Sequence, residues 1–335
     1  RDAEALHNLG AALYELGQWN AALAYLQQAL SIEPSNADAL VDAANALREL
    51  GRAREAVPLY QRALSLSPQL AEAHNNLGNA LMELGARADA VPCYQRALEL
   101  KPGDVQVVCN LANAVRQLGR LDDALVLARQ AVALGPALAI AHNAEGLALA
   151  ALGRRTEAVS SYREAVRLDP GYVEALNNLG NVLRDLGERR SALPLYRQAV
   201  ELQPGQAENH CNLGNVLFEL RQVEEAIASF QQALRLRADY APAHLSLALA
   251  LRQQRRPGEA EESCRAALAI DPNYVEALSF LGELQADRGQ FVEAERLFER
   301  AIELSPDFSF ALANIATHRK MTSADSRWLQ RAEAL

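Results

Sequence analysis

Prolines recur along this chain at intervals of 34 residues. Eight of the 13 prolines keep to one register of that period, which only Ala238 interrupts. They are Pro34, Pro68, Pro102, Pro136, Pro170, Pro204, Pro272 and Pro306. A fixed period of about 20 to 50 residues is typical of proteins built from stacked units, each packed on its neighbours. The period therefore predicts an array of similar units in place of one compact core.

Length and charge narrow the class of protein further. The chain has 335 residues, which is long for one compact core but suits a stack of small units. Its formal net charge of −9 disfavours nucleic acid as the main partner, because phosphate binding needs a basic face. No apolar run of about 18 residues occurs, so we predict no membrane-spanning segment. The sequence begins at Arg1 and not at a methionine, and we expect it to be a piece of a longer protein.

The four cysteines, Cys93, Cys109, Cys211 and Cys264, lie far apart and show no C-x-x-C spacing. This pattern favours free thiols over a disulfide framework or a zinc site, so we predict no metal. Free thiols, together with the lack of a recognisable secretory signal, predict a reducing, cytoplasmic location.

Small residues recur at fixed places within each unit. Counting from Ala3, the repeats begin at residues 3, 37, 71, 105, 139, 173, 207, 241, 275 and 309, and the first nine are complete. Position 8 is glycine or alanine in every repeat, and positions 20 and 27 are alanine in every complete repeat. Position 24 is usually bulky, as in Tyr60, Tyr94 and Phe230. Small residues facing bulky ones indicate two helices that approach closely.

Glycine and proline predict where these helices end. Position 15 is glycine in seven repeats and can take the left-handed conformation that ends a helix, so helix A covers about positions 1 to 14. Helix B follows, and the periodic proline closes the unit. Pro58, Pro92 and Pro194 stand at position 22, early in helix B, where we expect a helix start and not a kink.

The motif of Leu-Gly at positions 7 and 8, alanine at 20 and 27, an aromatic residue at 24 and proline at 32 resembles the tetratricopeptide repeat (TPR) family over residues 3 to about 321. The resemblance implies an all-α fold, a right-handed superhelix or α-solenoid of nine full repeats and a partial tenth over residues 1–321. Residues 322–335 would form a capping helix or a linker to a further domain. Glu145 departs from the family at apolar position 7, where it is either half-exposed or shifted in protonation.

Asparagines recur on one side of helix A. A helical wheel places positions 4, 7, 8, 11 and 14 toward the core, and positions 2, 6, 9 and 13 on the opposite side, which lines the concave groove of a stacked solenoid. The asparagines at positions 6 and 9 are Asn8, Asn76, Asn110, Asn178, Asn212 and Asn314, and Asn45, Asn79, Asn113, Asn181 and Asn215.

Two roles for these asparagines are open. A side-chain amide offers both donors and an acceptor, as a peptide unit requires, so the rows could hold an extended chain by its backbone. In this the sequence resembles the superhelical region of O-GlcNAc transferase, whose groove asparagines are understood to grip substrate peptides. Alternatively, the amides bond only between neighbouring helices.

Charged residues share the predicted groove. Position 2 is acidic in six repeats, from Glu4 to Glu276, and position 13 in six, from Glu15 to Asp287. Such a face favours basic or unstructured polar segments. Position 12 is arginine or lysine in even-numbered repeats only, for which the sequence offers no functional explanation. With Lys101 and Lys320 as the only lysines, the carboxylate clamp of chaperone-binding relatives is not expected.

We find no nucleophile, general base or phosphate-binding loop in a recognisable arrangement, so we predict neither an enzyme nor a cofactor site within these residues. The last residues break the repeat, since Trp328 replaces the alanine of position 20. They resemble the junction in bacterial proteins where tetratricopeptide repeats precede a sulfotransferase domain.

The sequence therefore predicts a repeat scaffold that binds protein or peptide segments, with no nucleic acid and no membrane as partner. The resemblances imply the substrate-recruiting region of a larger bacterial transferase, either a sulfotransferase or one like O-GlcNAc transferase. A free-standing adaptor for multi-protein assembly, and an array that self-associates through its ends, remain alternatives.

Overall fold

The computed structural model describes residues 2–306, which form eighteen α-helices and contain no β-strand. Each complete repeat contributes a helix A of 13 residues and a helix B of 14 residues. The predicted all-α array of helix pairs is confirmed. The helices are α1 (Ala3–Glu15), α2 (Trp19–Ile32), α3 (Ala37–Glu49), α4 (Ala53–Leu66), α5 (Ala71–Glu83), α6 (Arg87–Leu100), α7 (Val105–Gln117), α8 (Leu121–Leu134), α9 (Ala139–Ala151), α10 (Arg155–Leu168), α11 (Val173–Asp185), α12 (Arg189–Leu202), α13 (Ala207–Glu219), α14 (Val223–Leu236), α15 (Ala241–Gln253), α16 (Pro257–Ile270), α17 (Val275–Asp287) and α18 (Phe291–Leu304).

The chain divides into two compact units, residues 1–182 and 183–335. Within the first unit, each helix B from α2 to α8 contacts helix A of its own repeat and of the next. Successive A helices, α1, α3, α5, α7 and α9, also contact one another. In the second unit, α13 contacts α15 in the same way. The A helices of the first unit, and α13 and α15 of the second, therefore lie side by side.

Glycine ends helix A as predicted. Gly17, Gly51 and Gly85 have φ angles of 71°, 73° and 76°, the left-handed conformation that costs glycine little. Two repeats keep the same turn without glycine: Arg221 has φ 66° and Arg255 has φ 58°. The turn is therefore set by the packing of the two helices and not by the residue alone.

The prolines of position 22 lie early in helix B, as expected, but helix B does not start there. Pro58, for example, lies inside α4, which begins five residues earlier at Ala53. The same holds for Pro92 in α6 and Pro194 in α12. Each proline lies in the second turn of its helix, beyond the amides that have no helical partner. In α4, for example, the amide of Ala56 already donates to the carbonyl oxygen of Arg52, two residues before Pro58.

The small residues at position 8 lie against the bulky residues at position 24. A β-carbon placed on Gly78 would lie 2.6 Å from Cε1 of Tyr94, and one placed on Gly214 would lie 2.5 Å from Cε1 of Phe230. Both ring side chains are buried. This close approach of helix A to helix B confirms the interpretation of the small positions.

Histidines at position 4 join consecutive repeats. Nε2 of His74 lies 3.1 Å from the carbonyl oxygen of Pro68, and Nε2 of His142 lies 2.9 Å from that of Pro136. Each ring thus bonds the backbone of the turn before its own helix. The predicted tenth repeat, Asn314, Trp328 and the segment 322–335 lie outside the described residues.

Candidate peptide-binding face

Positions 2, 6, 9 and 13 of the A helices form what we call the A-helix face. The acidic residues of positions 2 and 13 are exposed on it, whereas most of its asparagines are half-buried. Asn8 is exposed on α1, and Asn45 on α3 is buried, with 8% of its surface accessible. Because the A helices lie side by side, side chains from neighbouring repeats meet along this face.

Asn45 is an acceptor shared by two repeats. The Tyr60 hydroxyl donates to Oδ1 of Asn45 at 2.5 Å, and Nδ2 of Asn76, from the next repeat, donates to the same oxygen at 3.0 Å. Burial raises the pKa of Tyr60, so its hydroxyl stays protonated and donates. The amide therefore joins helices α3, α4 and α5.

The same arrangement recurs one repeat later. Tyr94 donates to Oδ1 of Asn79 at 2.8 Å, and Nδ2 of Asn110 donates to that oxygen at 3.2 Å. Asn110 also donates to Oδ1 of Asn75 at 3.0 Å and accepts from Gln106 at 3.1 Å. Position 6 therefore bonds to position 9 of the preceding repeat, which is the second of the two predicted roles.

Between the fifth and sixth repeats the hydrogen-bond acceptor is different, because position 9 of the fifth repeat is Leu147 and has no side-chain oxygen. Here Asn178 donates to Oδ1 of Asn143 at 3.0 Å. Nδ2 of Asn143 donates to Oε1 of Glu174 at 3.1 Å and lies 3.2 Å from the Tyr172 hydroxyl. Burial, and then the charge of Glu174, raise the pKa of Tyr172. The bonds between repeats thus continue with Asn143 at position 5.

In the second unit, Asn215 accepts from the Ser246 hydroxyl at 3.0 Å, again between neighbouring A helices. Asn181, in the first unit, and Asn212, in the second, are half-buried on α11 and α13. Asn314 is not among the described residues.

These contacts change what the asparagines can offer a ligand. We expected each amide to present donors and an acceptor, but the oxygens of Asn45, Asn79 and Asn113 are occupied within the chain. Their Nδ2 groups, by contrast, donate to nothing in the described part of the chain. Asn79 and Asn113 both line one open pocket of about 270 Å3, beside Glu83. At these three asparagines the face therefore has N–H donors, and not acceptors, without a partner in the described part of the chain.

Arginines neutralise part of the acidic row. Nε of Arg48 lies 3.5 Å from Glu83, and Nε of Arg184 lies 3.5 Å from Glu219. Glu208 pairs with Arg237 at 2.6 Å. Other acidic residues of the face, such as Asp38, Glu72 and Glu276, form no ion pair among residues 2–306. The face therefore keeps a negative excess.

A second pocket, of about 180 Å3, opens between α7 and α9. Its polar lining comes from Gln106, Asn110, Asn113, Arg116, Asn143 and Glu174, and its apolar lining includes Ile140 and Leu147. Sequence reasoning did not select Gln106, Arg116 or Tyr172. The alternation at position 12 was the one signal that marked Arg116.

Glu145, the departure at position 7, is half-buried and has two partners. Nε of Arg129 lies 3.3 Å from its Oε1, and the Ser161 hydroxyl donates to its Oε2 at 3.2 Å. The carboxylate is thus held between α8 of the fourth repeat and α10 of the fifth.

Among the described residues, no group of three or more histidine, cysteine, aspartate or glutamate side chains is placed to hold a metal ion. In the same range, no helix has the length and apolar character needed to cross a bilayer.

Comparison with known families gives matches along most of the chain. Models described as tetratricopeptide repeats match residues 3–36, 71–104, 109–135, 177–241, 211–275 and 251–315. A model described as a TPR repeat matches residues 44–85 and 146–187. The matches leave only short gaps between residues 3 and 315. No curated protein matches the sequence.

Solved structures share the helical architecture. The structure of MamA is 27% identical and covers 48% of this chain and 94% of its own, with a TM-score of 0.43. The Cut9–Hcn1 hetero-tetramer of the APC/C is 18% identical over 90% of this chain and 59% of its own, with a TM-score of 0.68. The human IFIT1 dimer with m7Gppp-AAAA is 18% identical over 99% of this chain and 89% of its own, with a TM-score of 0.63. The two longer matches show a common fold.

Proposed function

The chain belongs to the tetratricopeptide repeat family, whose members bind proteins or peptides, and we propose that it holds an extended polypeptide segment on its A-helix face. The segment would be bound chiefly through backbone carbonyl groups, with little dependence on its side chains. We assign the chain itself no catalytic role.

One observation carries this proposal. Asn79 and Asn113 keep their oxygens fixed by internal hydrogen bonds, and their Nδ2 groups donate to nothing in the described part of the chain. Both residues line the same open pocket. Fixed donors lose little freedom on binding, so a carbonyl oxygen that meets them is bound at a small entropic cost. An extended peptide supplies one carbonyl per residue.

The charge of the face indicates which segments it favours. Exposed acidic residues at positions 2 and 13 outnumber their arginine partners, and they attract basic or polar segments over long range. Because both screening and steering depend on salt, association should slow as ionic strength rises.

The proposal is tested by removing the donors and keeping the acceptors. Peptides that bind the chain are first selected from a random library of unstructured 12-residue sequences, and their affinities are measured by fluorescence anisotropy. The double variant Asn79→Asp and Asn113→Asp preserves the oxygens that accept from Tyr94 and Arg116 but removes the free N–H groups. We expect affinity to fall about tenfold or more, since each hydrogen bond contributes about 1 kcal/mol and carboxylates repel carbonyl oxygens.

The matched control adds the same two charges elsewhere. Gln95 and Gln130 are exposed on helices α6 and α8, so Gln95→Glu with Gln130→Glu should leave affinity unchanged. Selection of no binding peptide, or an equal loss in both double variants, would contradict the proposal.

For the wider context, we infer that the chain serves as the cytoplasmic substrate-recruiting region of a larger bacterial transferase, either a sulfotransferase or one like O-GlcNAc transferase. The asparagine rows and the tail from Thr322 to Leu335 support this through the resemblances described above. In this arrangement the repeat array ends near residue 321, and residues 322–335 form a cap or linker. Sequencing the parent reading frame decides between this arrangement and a free-standing adaptor.

Self-association is a second candidate that one observation favours. Leu9, Leu16 and Trp19 in the first repeat have 42%, 71% and 37% of their surfaces exposed, whereas leucines at the position of Leu9 are buried in several later repeats. Apolar surface of this kind can dock a second copy. Analytical ultracentrifugation across a concentration series, with Leu16→Glu as the interrupting variant, distinguishes an oligomer from a monomer.

A further inference from the structure

The arginines at position 12 follow a rule with one exception. Three of them pair with a glutamate from the next repeat: Arg48 with Glu83 at 3.5 Å, Arg184 with Glu219 at 3.5 Å, and Arg252 with Glu283 at 2.5 Å. The glutamate comes from position 13 in the first two pairs and from position 9 in the third. Each guanidinium group therefore meets its carboxylate on the A-helix face.

Arg116 is the exception. The next repeat carries Ala151 at position 13 and Leu147 at position 9, so neither place offers a carboxylate. Nη2 of Arg116 donates to Asn113 at 2.7 Å, and its Nε is buried without a partner. No carboxylate of residues 2–306 pairs with this guanidinium group. A buried N–H group without a partner is unfavourable. The guanidinium charge also has no carboxylate partner, and a ligand that supplies one gains a charge-assisted interaction.

Arg116 also lines the 180 Å3 pocket between α7 and α9, together with Asn110 and Asn113. Glu174 lines the same pocket, but both of its oxygens already have partners. Oε1 accepts from Asn143 at 3.1 Å, and Oε2 accepts from the Tyr172 hydroxyl at 3.4 Å. Both partners are neutral, so Glu174 and Arg116 share the pocket without forming an ion pair, but the oxygens of Glu174 accept hydrogen bonds whereas Nε of Arg116 has no acceptor.

We propose that this pocket takes the carboxylate of one aspartate or glutamate side chain from the bound segment, which pairs with Arg116 as Glu83 pairs with Arg48. The inference rests on the proposed function and names one side chain that the face selects. On a face with a negative excess, a single acidic residue that fits at one place fixes the register of an otherwise basic or polar segment.

The experiment uses peptides selected on the full chain from the random 12-residue library. We expect them to share one acidic residue, and its replacement by the corresponding amide should weaken binding about tenfold, as expected for a charge-assisted hydrogen bond. Arg116→Gln should lower the affinity for the acidic peptide by a similar factor and leave the affinity for the amide peptide unchanged. This double-mutant cycle assigns the contact to the pair.

A second variant fills the pocket from within the chain. Ala151 is exposed at the end of α9, so Ala151→Glu should fold normally and place a carboxylate where Glu83 and Glu219 stand relative to their arginines. Ala151→Glu should lower the affinity for the acidic peptide about tenfold, as loss of the charge-assisted hydrogen bond does. Ala151→Gln has the same shape without the charge and should bind as the wild type does.

The outcomes separate the two proposals. The Arg116 inference is wrong, while peptide binding stands, if peptides are selected but replacing their acidic residues does not lower affinity. The same conclusion holds if Ala151→Glu and Ala151→Gln bind the acidic peptide with equal affinity. If no peptide is selected, the proposed function fails, and the inference fails with it.

Discussion

Nδ2 of Asn76 and the hydroxyl of Tyr60 donate to the same oxygen of Asn45, at 3.0 Å and 2.5 Å. One acceptor thus connects helix A, helix B of the same repeat and helix A of the next. An asparagine expected to contact ligands consequently also holds neighbouring repeats together, and the two roles can be separated by mutation.

Asn45→Ala should lower the free energy of unfolding by about 2 to 3 kcal/mol, because it leaves the buried Tyr60 hydroxyl and the Asn76 amide without their acceptor. Urea unfolding measures the change. Asn8→Ala, at an exposed asparagine of the same face, should change stability by less than about 0.5 kcal/mol. In a Tyr60→Phe background the cost of Asn45→Ala should shrink, and an unchanged cost would show that the hydroxyl is not the reason.

Gly146→Ala should destabilise the chain by about 1 to 3 kcal/mol, the usual range for overpacking a buried contact. A β-carbon there would lie 2.5 Å from Cε1 of Tyr162, whose ring is buried. Gly205→Ala is the control, since nothing lies within 4 Å of its β-carbon position and its φ is not left-handed. Thermal unfolding should show a lower Tm for the first variant only; equal shifts would argue against a steric cause.

Arg221→Gly should stabilise the second unit by about 0.5 to 1 kcal/mol. The residue has φ 66°, a conformation that costs a side chain with a β-carbon about 1 to 2 kcal/mol, part of which is offset by the greater freedom of glycine in the unfolded chain. Arg221→Ala keeps the β-carbon and removes the same charge. A gain in Tm for alanine equal to that for glycine would assign the effect to charge instead of backbone conformation.

Stability should fall as pH rises above about 9. Burial raises the pKa of Cys109 and Cys264 to about 12, while an unfolded thiol titrates near its ordinary pKa of about 8.5 to 9. A pKa raised in the folded state contributes stability that is complete below the unfolded pKa and is lost as pH approaches the folded one.

Each of these thiols should therefore reduce the free energy of unfolding by about 2 kcal/mol between pH 8 and 10.5. Urea unfolding at the two pH values measures the loss. The free energy of unfolding of Cys264→Ala should fall less over the same pH interval than that of the wild type. Equal losses in the two proteins would show that this thiol does not contribute.

Some of the site was visible in the sequence because it depends on local spacing. Positions 6 and 9 lie on one side of a helix whatever surrounds them, so the sequence could place Asn79 and Asn113 on the A-helix face. It could not assign their amide atoms. Whether Oδ1 of Asn79 is free depends on Tyr94 and on Asn110, which lies 31 residues away along the chain.

The sequence by itself determined the repeating helix pairs, since glycine at position 15 and the small residues at 8, 20 and 27 act within one repeat or between adjacent ones. Only the tertiary structure decided what each face can bind. Arg48 and Arg116 occupy the same repeat position, yet Arg48 pairs with Glu83 of the next repeat. The repeat that follows Arg116 instead has Ala151 at position 13 and Leu147 at position 9, and neither is a carboxylate. Hydrogen bonding and charge pairing are short-ranged, so their outcome depends on side chains that only the stacking of repeats brings together.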